Sequence, residues 1–407
     1  MDAQQSAQQS YYPSFPQQAI VGSLGEVAKL LSEGTEVSEE FIFTCALTCF
    51  GAMISGVLKV NIGYPSDTRL YTLLLGESYA AKKSTAMSKT IDFFKRIAPI
   101  EDWSTLSGAG SAEGLARGLE DHSRTLLFYD ELQSFIEKTK VQASVLLAMV
   151  ASLFERNDYQ SVTKKKAIDL TGVRLSLLAC CTTKTYEQVW TPDAIAIGLP
   201  NRLFLVYADA KPKVAWPKAV DKDECGRLTE KISQQIRIAR RVFDITPGAK
   251  DKWACWYKGL PKSEHVKRLD TIGVRLMPIL ALTMGKDTVD EEVVSHVMEV
   301  MNYELSLRAL TDPIDADTQM ARVEERIRRT LKNRGPLSKR EIRQATHADR
   351  AGIWAFTTAM QNLLESKDIS MKRVGRKEVY EYSATAPEHD QTAPEKEEIE
   401  IIEVDAG

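Results

Sequence analysis

The sequence predicts an α/β fold on a mostly parallel sheet with helices on both faces, and three observations predict it. Four short apolar runs, at 70–75, 125–129, 174–181 and 203–207, have the length and character of fully buried strands. Helical stretches at 87–97, 112–120, 141–155 and part of 185–196 separate them, and strands alternating with helices require crossover connections. The first run passes through a ten-residue loop directly into a helix, the order strand, loop, helix.

Taken along the chain, residues 1–18 are Gln- and Ser-rich, with no basic or apolar leader pattern, and read as a disordered arm. Residues 19–66 read as a helical segment, with a short helix at 24–32 and a longer one within 41–58. That second stretch, FIFTCALTCFGAMISGVL, is uncharged and close to the shortest length that spans a bilayer. It also holds Thr44, Thr48, Gly51, Ser55 and Gly56 and lacks a basic flank, so a buried core helix is expected and no membrane partner. The six cysteines form no CxxC and no ligand spacing with the five histidines. They read as reduced, apolar-behaving thiols of a cytoplasmic protein, without structural zinc.

The loop after the first strand is Gly76-Glu-Ser-Tyr-Ala-Ala-Lys-Lys-Ser-Thr85. Backbone N–H groups and a helix N-terminus surround phosphates in a P-loop, a lysine reaches the β/γ oxygens, and a hydroxyl holds Mg²⁺. The usual GxxxxGK[ST] spelling is absent. Counted from Gly76, Ala81 takes the second glycine position and Lys82 the lysine; counted back from Lys83-Ser84, Lys82 takes the glycine position. The reading preferred here puts Lys83 on phosphate and Ser84 on Mg²⁺, in a loop one residue longer than usual. Gly76, Ser78, Ala81, Lys82, Lys83, Ser84 and Thr85 are then the nucleotide-binding candidates. The alternative is a basic helix start on the surface.

The second strand ends in Asp130-Glu131. An acid there supports a metal through water, and its neighbour polarises an attacking water. The third strand ends in Thr182-Thr183, where either hydroxyl could orient that water or simply form an ST-turn. Residues 67–223 thus read as an ATPase core, and 224–311 as an all-helical lid. From 318 to 384 the pattern is helix, helix, helix, hairpin, the winged-helix plan. The second helix opens at Ser338, and the third, near 353–366, is expected to lie mostly in the core. This module carries 15 basic and 8 acidic side chains, so +7; the tail, 385–407, carries 1 and 8, so −7. The near-neutral total of −3, from 53 basic and 56 acidic residues, hides a basic module beside an acidic tail that reads as disordered. Arg340, Arg343, Arg350, Lys372, Arg373 and Arg376 are the candidate DNA-backbone contacts of the module.

Together these residues resemble the AAA+ ATPases, and more closely the phage- and plasmid-borne helicase-like ATPases often attached to primases. That family spells its loop G-x-[ST]-x-x-[GA]-[RK]-K-[GST]-T, which GESYAAKKST fits, and SGAGSAEGLARGL (107–119) is similar to its segment ahead of the acidic strand. The likeness covers roughly residues 22–310. A more distant similarity is to the minichromosome maintenance helicases. It implies that Arg202, in Leu199-Pro-Asn-Arg202, acts as an arginine finger across a subunit interface. It further implies that Arg268 lies at the second-sensor position of a lid helix, with Arg275 seven residues later on the same face, where cations would contact the γ-phosphate. Lys164, Lys165 and Lys166 would lie on a pore hairpin that grips DNA.

The expected activity is that of an ATP-hydrolysing DNA motor, with ATP and Mg²⁺ as cofactors. It would be a homo-oligomer, as a hexameric replicative helicase of a mobile element is, with a possible replication partner protein. Two other expectations compete with it. One is a helicase loader or initiator that remodels DNA or a partner without processive unwinding. The other is a nucleotide-gated DNA-binding protein without turnover.

Overall fold

The computed structural model of the 407-residue chain describes residues 12–63, 66–77, 81–97, 103–140, 145–162, 167–239, 242–313, 319–346, 352–374 and 377–383. The chain divides into two compact units, Met1–Asp315 and Ala316–Gly407.

The strands of the first unit, in chain order, are Lys59–Val60 (β1), Tyr71–Leu75 (β2), Trp103–Ser107 (β3), Arg124–Tyr129 (β4), Tyr159–Val162 (β5), Ala167–Leu170 (β6), Arg174–Cys181 (β7), Phe204–Tyr207 (β8) and Val242–Phe243 (β9). Five of them form one sheet in the order β3-β4-β7-β2-β8, and every pair in it is parallel. The four apolar runs expected as strands are β2, β4, β7 and β8. β2 and β8 are buried along their whole length, as a parallel sheet covered by helices demands. The fifth strand, β3, is a correction to the sequence reading. Its residues WSTLS are partly exposed and mostly polar (Ser104, Thr105, Ser107), because it is an edge strand paired only with β4.

The uncharged stretch near the N-terminus forms the helix Glu39–Ile54, and every residue from Phe41 to Ile54 is buried. It lies against β2, β4, β7 and β8. Polarity inside this helix is satisfied locally: the Thr48 hydroxyl meets that of Thr72 in β2 at 2.7 Å. Gly51 lets the helix approach closely, since a Cβ there would stand 2.3 Å from the Thr68 carbonyl oxygen. Among the described residues no helix is long and apolar enough to cross a membrane.

Two further expectations change. The arm is packed from Tyr12 onward. Phe15 is 3% exposed, its ring 5.1 Å from that of Tyr303 and 6.3 Å from that of Phe43. The Tyr12 ring lies 4.3 Å from that of Tyr207, so two aromatic rings pin a segment that lacks any periodic signal. Residues 1–11 lie outside the described set. The stretch 224–308 is not wholly helical either, because β9 pairs in parallel with β1 across a two-residue ladder.

The sheet's other edge is β8, and one helix closes it. Glu291–Thr311 lays Tyr303, Glu304 and Arg308 along the strand. Glu304 accepts the Leu205 N–H at 3.0 Å. The Tyr303 hydroxyl accepts the Tyr207 N–H at 2.7 Å. Arg308 donates to the carbonyls of Leu203 at 2.6 Å, Asn201 at 3.2 Å and Lys267 at 2.8 Å. Side chains thus take the place of a sixth strand, and the backbone groups of an edge that would invite pairing with another chain are satisfied internally. The pair Glu304–Arg308 is joined at 2.8 Å with both side chains 0% exposed. Burial pushes the Glu304 carboxyl up to about 7, against the pull of Arg308.

The second unit consists of the helices Gln319–Arg334, Lys339–Ala345 and Ile353–Glu365 with the strands Leu337–Ser338 (β10), Ile369–Val374 (β11) and Lys377–Tyr382 (β12). The strands pair antiparallel in the order β10-β12-β11. Val323, Ile327, Leu331, Ile342, Phe356, Met360, Leu363 and Tyr380 make its core. Ser338 opens its helix through a capping box with Glu341, as the sequence anticipated. The third helix departs from expectation. Ile353 and Trp354 are 67% and 75% exposed and Leu364 is 37% exposed, because they lie off the face formed by Phe356, Ala359, Met360 and Leu363. The turn at Gly375-Arg376 and the tail from 384 are outside the described residues.

Arg308→Met would leave the Glu304 carboxylate buried without its cation. The expected loss is about 3–5 kcal/mol of unfolding free energy, measurable as a lower urea midpoint with an unchanged slope.

Candidate functional site

Parallel strands deliver all their carboxyl ends to one side of the sheet. Leu75 is in register with both Cys181 and Tyr207, and Tyr129 with Ala179. The loop from Gly76, the acids at 130–131 and the threonines at 182–183 therefore emerge together. The inserted position of β7 puts its end between the loop strand and the acidic strand.

The loop closes tightly at its root. A Cβ on Gly76 would stand 2.7 Å from the Cβ of Ala81 and 3.0 Å from the carbonyl oxygen of Ala208. Ala81 is 1% exposed. Ser78 lies in the undescribed part of the loop. The helix Lys83–Phe94 then starts, and its N-cap is Lys82 with φ 49° and ψ 32°, the left-handed region. This is a glycine's conformation held by a lysine, at the position that GK[ST] spelling gives to glycine. Glu36, in the connection between the two N-terminal helices, pairs with that lysine. The Glu36 carboxylate accepts the Val214 N–H at 3.0 Å and meets Lys82 at 3.2 Å, and these contacts lower its pKa.

Lys83 points the other way. It is 8% exposed, and its Nζ donates to the carbonyls of Gly76 at 2.9 Å and Glu77 at 3.0 Å. Burial lowers its pKa, while Cys180, Cys181 and Glu131 nearby favour its charged form. Of the two lysines that the sequence left open, Lys83 is therefore the one inside the loop. Ser84 and Thr85 are exposed at the helix start. They share a cleft of about 450 Å³ with Ser88, Asp92, Lys95, Phe128 and Asp130. Glu131 caps the next helix, Leu132–Thr139, with its backbone. Its Oε1 is buried and has no hydrogen-bond partner among the described residues, and burial raises its pKa against the pull of Lys83. The Cys180 thiol donates to the Asp130 carbonyl at 2.8 Å, and burial pushes its pKa up to about 12.

Thr182 is occupied as a helix cap. Its hydroxyl accepts the Thr185 N–H at 3.0 Å and meets the Thr185 hydroxyl at 2.9 Å. That is the ST-turn the sequence held open for it.

The arginines lie at the opposite end. Phe204 is level with Thr72, so Arg202 sits about 20 Å from Gly76, some six residues of strand. It cannot reach the Gly76–Thr85 loop of its own chain. Its Nη1 donates to the carbonyls of Ile197 at 2.7 Å and Gly198 at 2.8 Å, and its Nη2 pairs with Glu155 Oε1 at 3.1 Å. Burial, and then Arg268, lower its pKa. Arg268 reaches the same Glu155 oxygen at 2.6 Å and has φ 69°. Arg275 is a correction. It is 6% exposed, stacks on Phe154 and donates to the carbonyls of Arg69 at 2.9 Å and Phe154 at 2.6 Å, so it is a structural clamp rather than a phosphate ligand. Its position seven residues after Arg268 carried no information about depth.

Lys164, Lys165 and Lys166 fall in the undescribed turn between β5 and β6, which do form an antiparallel hairpin. Arg350 and Arg376 are likewise outside the described residues. Arg340 is exposed and Arg343 half-buried. Lys372 pairs with Glu381 and Arg373 with Glu378 across the hairpin, so these two cations are partly neutralised.

Sequence reading missed Glu36, Glu155 and the pair Glu304–Arg308. Only the last had a signal, an acid and a base four residues apart at helical spacing in ELSLR. The chain matches no protein-family model, and no curated protein matches it.

Two loop substitutions are expected to have opposite effects on stability. Gly76→Ala forces its Cβ against Ala81 and costs about 1–3 kcal/mol. Lys82→Gly removes a left-handed non-glycine residue, a relief of about 1 kcal/mol that offsets the exposed ion pair, so its urea midpoint is no lower than wild type.

Proposed function

We propose that the protein is an AAA+-like ATPase that drives a DNA motor of the replicative-helicase type, working as a ring of identical copies with a C-terminal winged helix. The observation that carries this reading is the division of chemistry between the two ends of one parallel sheet. Lys83, Ser84, Asp130 and Glu131 converge at the carboxyl ends of the strands, while Arg202 and Arg268 stand together at the other end. A chain so arranged has half of a hydrolytic site at each end, and copies packed head to tail complete one another. The inserted strand β7 supports the same reading, because a sensor residue must stand between the phosphate loop and the acids.

The residues fit Mg²⁺ and a nucleoside triphosphate. A hydroxyl at Ser84 and a carboxylate at Asp130 are hard oxygen donors lining one cleft. Mg²⁺ takes one or two such ligands and completes its shell with water and phosphate. Bound there, the ion would neutralise and orient phosphate oxygens. Lys83 would exchange its two loop carbonyls for β/γ oxygens. The unpartnered Oε1 of Glu131 suits a water molecule, whose proton that carboxylate draws during attack on the terminal phosphorus. Arg268, with Arg202 behind it, would meet the charge developing on a neighbouring copy's phosphate.

A second reading, a helicase loader or initiator, is favoured by one specific observation. The exposed Ile353 and Trp354 and the paired wing cations make the C-terminal unit a better protein-docking surface than a bare DNA-binding wing.

Single-stranded DNA is expected to stimulate ATP hydrolysis by the full chain. Lys83→Ala and Glu131→Gln should each reduce turnover more than about a hundredfold, and strand displacement should accompany it. Stimulated turnover without strand displacement would select the loader reading. No turnover in any condition would contradict both.

A further inference from the structure

Arg202 and Arg268 come from distant parts of the chain, yet one carboxylate oxygen holds both. Glu155 Oε1 is 3.1 Å from Arg202 Nη2 and 2.6 Å from Arg268 Nη1. The backbone that carries Glu155 is fixed. Arg69, 2% exposed, donates to the carbonyls of Leu153 at 3.0 Å and Arg156 at 2.9 Å and to Asn157 Oδ1 at 2.6 Å. Arg275 holds the Phe154 carbonyl at 2.6 Å. The roots of the two arginines are tied as well. Arg308 bonds the carbonyls of Asn201 and Leu203, on either side of Arg202, and that of Lys267, just before Arg268.

We propose that Glu155 is a positioning residue that binds Arg202 and Arg268 into one unit aimed at the terminal phosphate of a neighbouring copy. This rests on the ATPase-ring reading above. Two guanidinium groups that share an oxygen would repel and separate without the anion between them. With it, the cluster keeps one net positive charge and a fixed spacing. The two arginines are not equivalent within it. Arg202 is held by two carbonyls besides Glu155 and has a side chain 14% exposed. Arg268 has a side chain 33% exposed and stands on a left-handed backbone at the start of the helix Leu269–Thr283. Arg202 therefore anchors the carboxylate, and the carboxylate aims Arg268. Backbone strain of that kind persists where surrounding contacts impose it.

Glu155 is 41% exposed at its side chain, so Glu155→Gln keeps shape and fold while removing the charge. The test is steady-state ATP hydrolysis by Glu155→Gln alone and after mixing with Lys83→Ala copies, beside Arg268→Ala treated in the same way. Lys83→Ala copies have no working loop but present intact arginines to a neighbour. Glu155→Gln is expected to lower kcat about tenfold or more with KM unchanged, and mixing with Lys83→Ala is expected to restore turnover, as it should for Arg268→Ala. Wild-type kcat in Glu155→Gln overturns the inference. So does a loss that mixing fails to restore while Arg268→Ala is restored, since the defect would then lie within the subunit. If Arg268→Ala itself keeps full turnover or is not restored, the ring reading fails, and the inference with it.

Discussion

The parallel run of the five central strands is the constraint on which the rest depends. Because β2, β4, β7 and β8 all point one way, whatever follows each strand gathers at one end, and whatever precedes it gathers at the other. Lys83, Asp130 and Glu131 follow strands. Arg202 precedes one. No local contact between the loop and the arginines is needed to explain why they stand about 20 Å apart; the direction of the chain decides it. In the ATPase ring proposed above, the same constraint makes assembly necessary, because neither end alone has a complete set of charges for phosphate transfer.

A parallel sheet has two costs, and the chain meets both with side chains. It must be buried on both faces, and the helix Glu39–Ile54, buried from Phe41 onward, supplies one cover. It also leaves edges, and Tyr303, Glu304 and Arg308 close the one at β8. Arg308 and Glu304 are a buried ion pair of a kind that seldom adds stability over an apolar pair. Their value here is geometric. The groups they satisfy belong to the backbone around Arg202 and Arg268, so edge closure and arginine placement are one set of hydrogen bonds. At the other end, Glu36 belongs to the N-terminal segment and pairs with Lys82, the left-handed residue just before Lys83. The N-terminal helices are therefore part of the loop's architecture.

Much of this was legible in the sequence. Continuous apolar runs ending in charged or hydroxyl residues announced β2, β4 and β7 together with the chemistry at their ends, because a buried strand must be apolar and its exposed end need not be. The uncharged stretch near residue 50 was readable as a core helix for the same reason. What escaped was set by tertiary context. β3 has no apolar run because it is half-covered. Phe15 looks like part of a polar arm because its partners lie 28 and 288 residues away. Arg275 and Arg268 look equivalent on a helical wheel, and only packing shows that one is a buried clamp. Ile353 and Trp354 look like core and are exposed, because amphipathic periodicity in a short helix leaves its first turn undecided. The register of Lys82 and Lys83 could not be fixed by spelling, since the glycine that usually fixes it is a lysine in the same left-handed conformation.

The central claim is that Gly76–Thr85 is a phosphate loop in which Lys83 faces the ligand and Lys82 faces away. The most direct test is equilibrium binding of Mg·ATP to the full chain and to Lys82→Ala and Lys83→Ala, with unfolding midpoints measured in parallel. The account predicts binding by wild type and Lys82→Ala within about threefold of each other, and a loss of at least about tenfold in Lys83→Ala, equivalent to one charge-assisted contact of roughly 1.5–3 kcal/mol. Absence of binding by the wild type, or a selective loss in Lys82→Ala with Lys83→Ala intact, would contradict it.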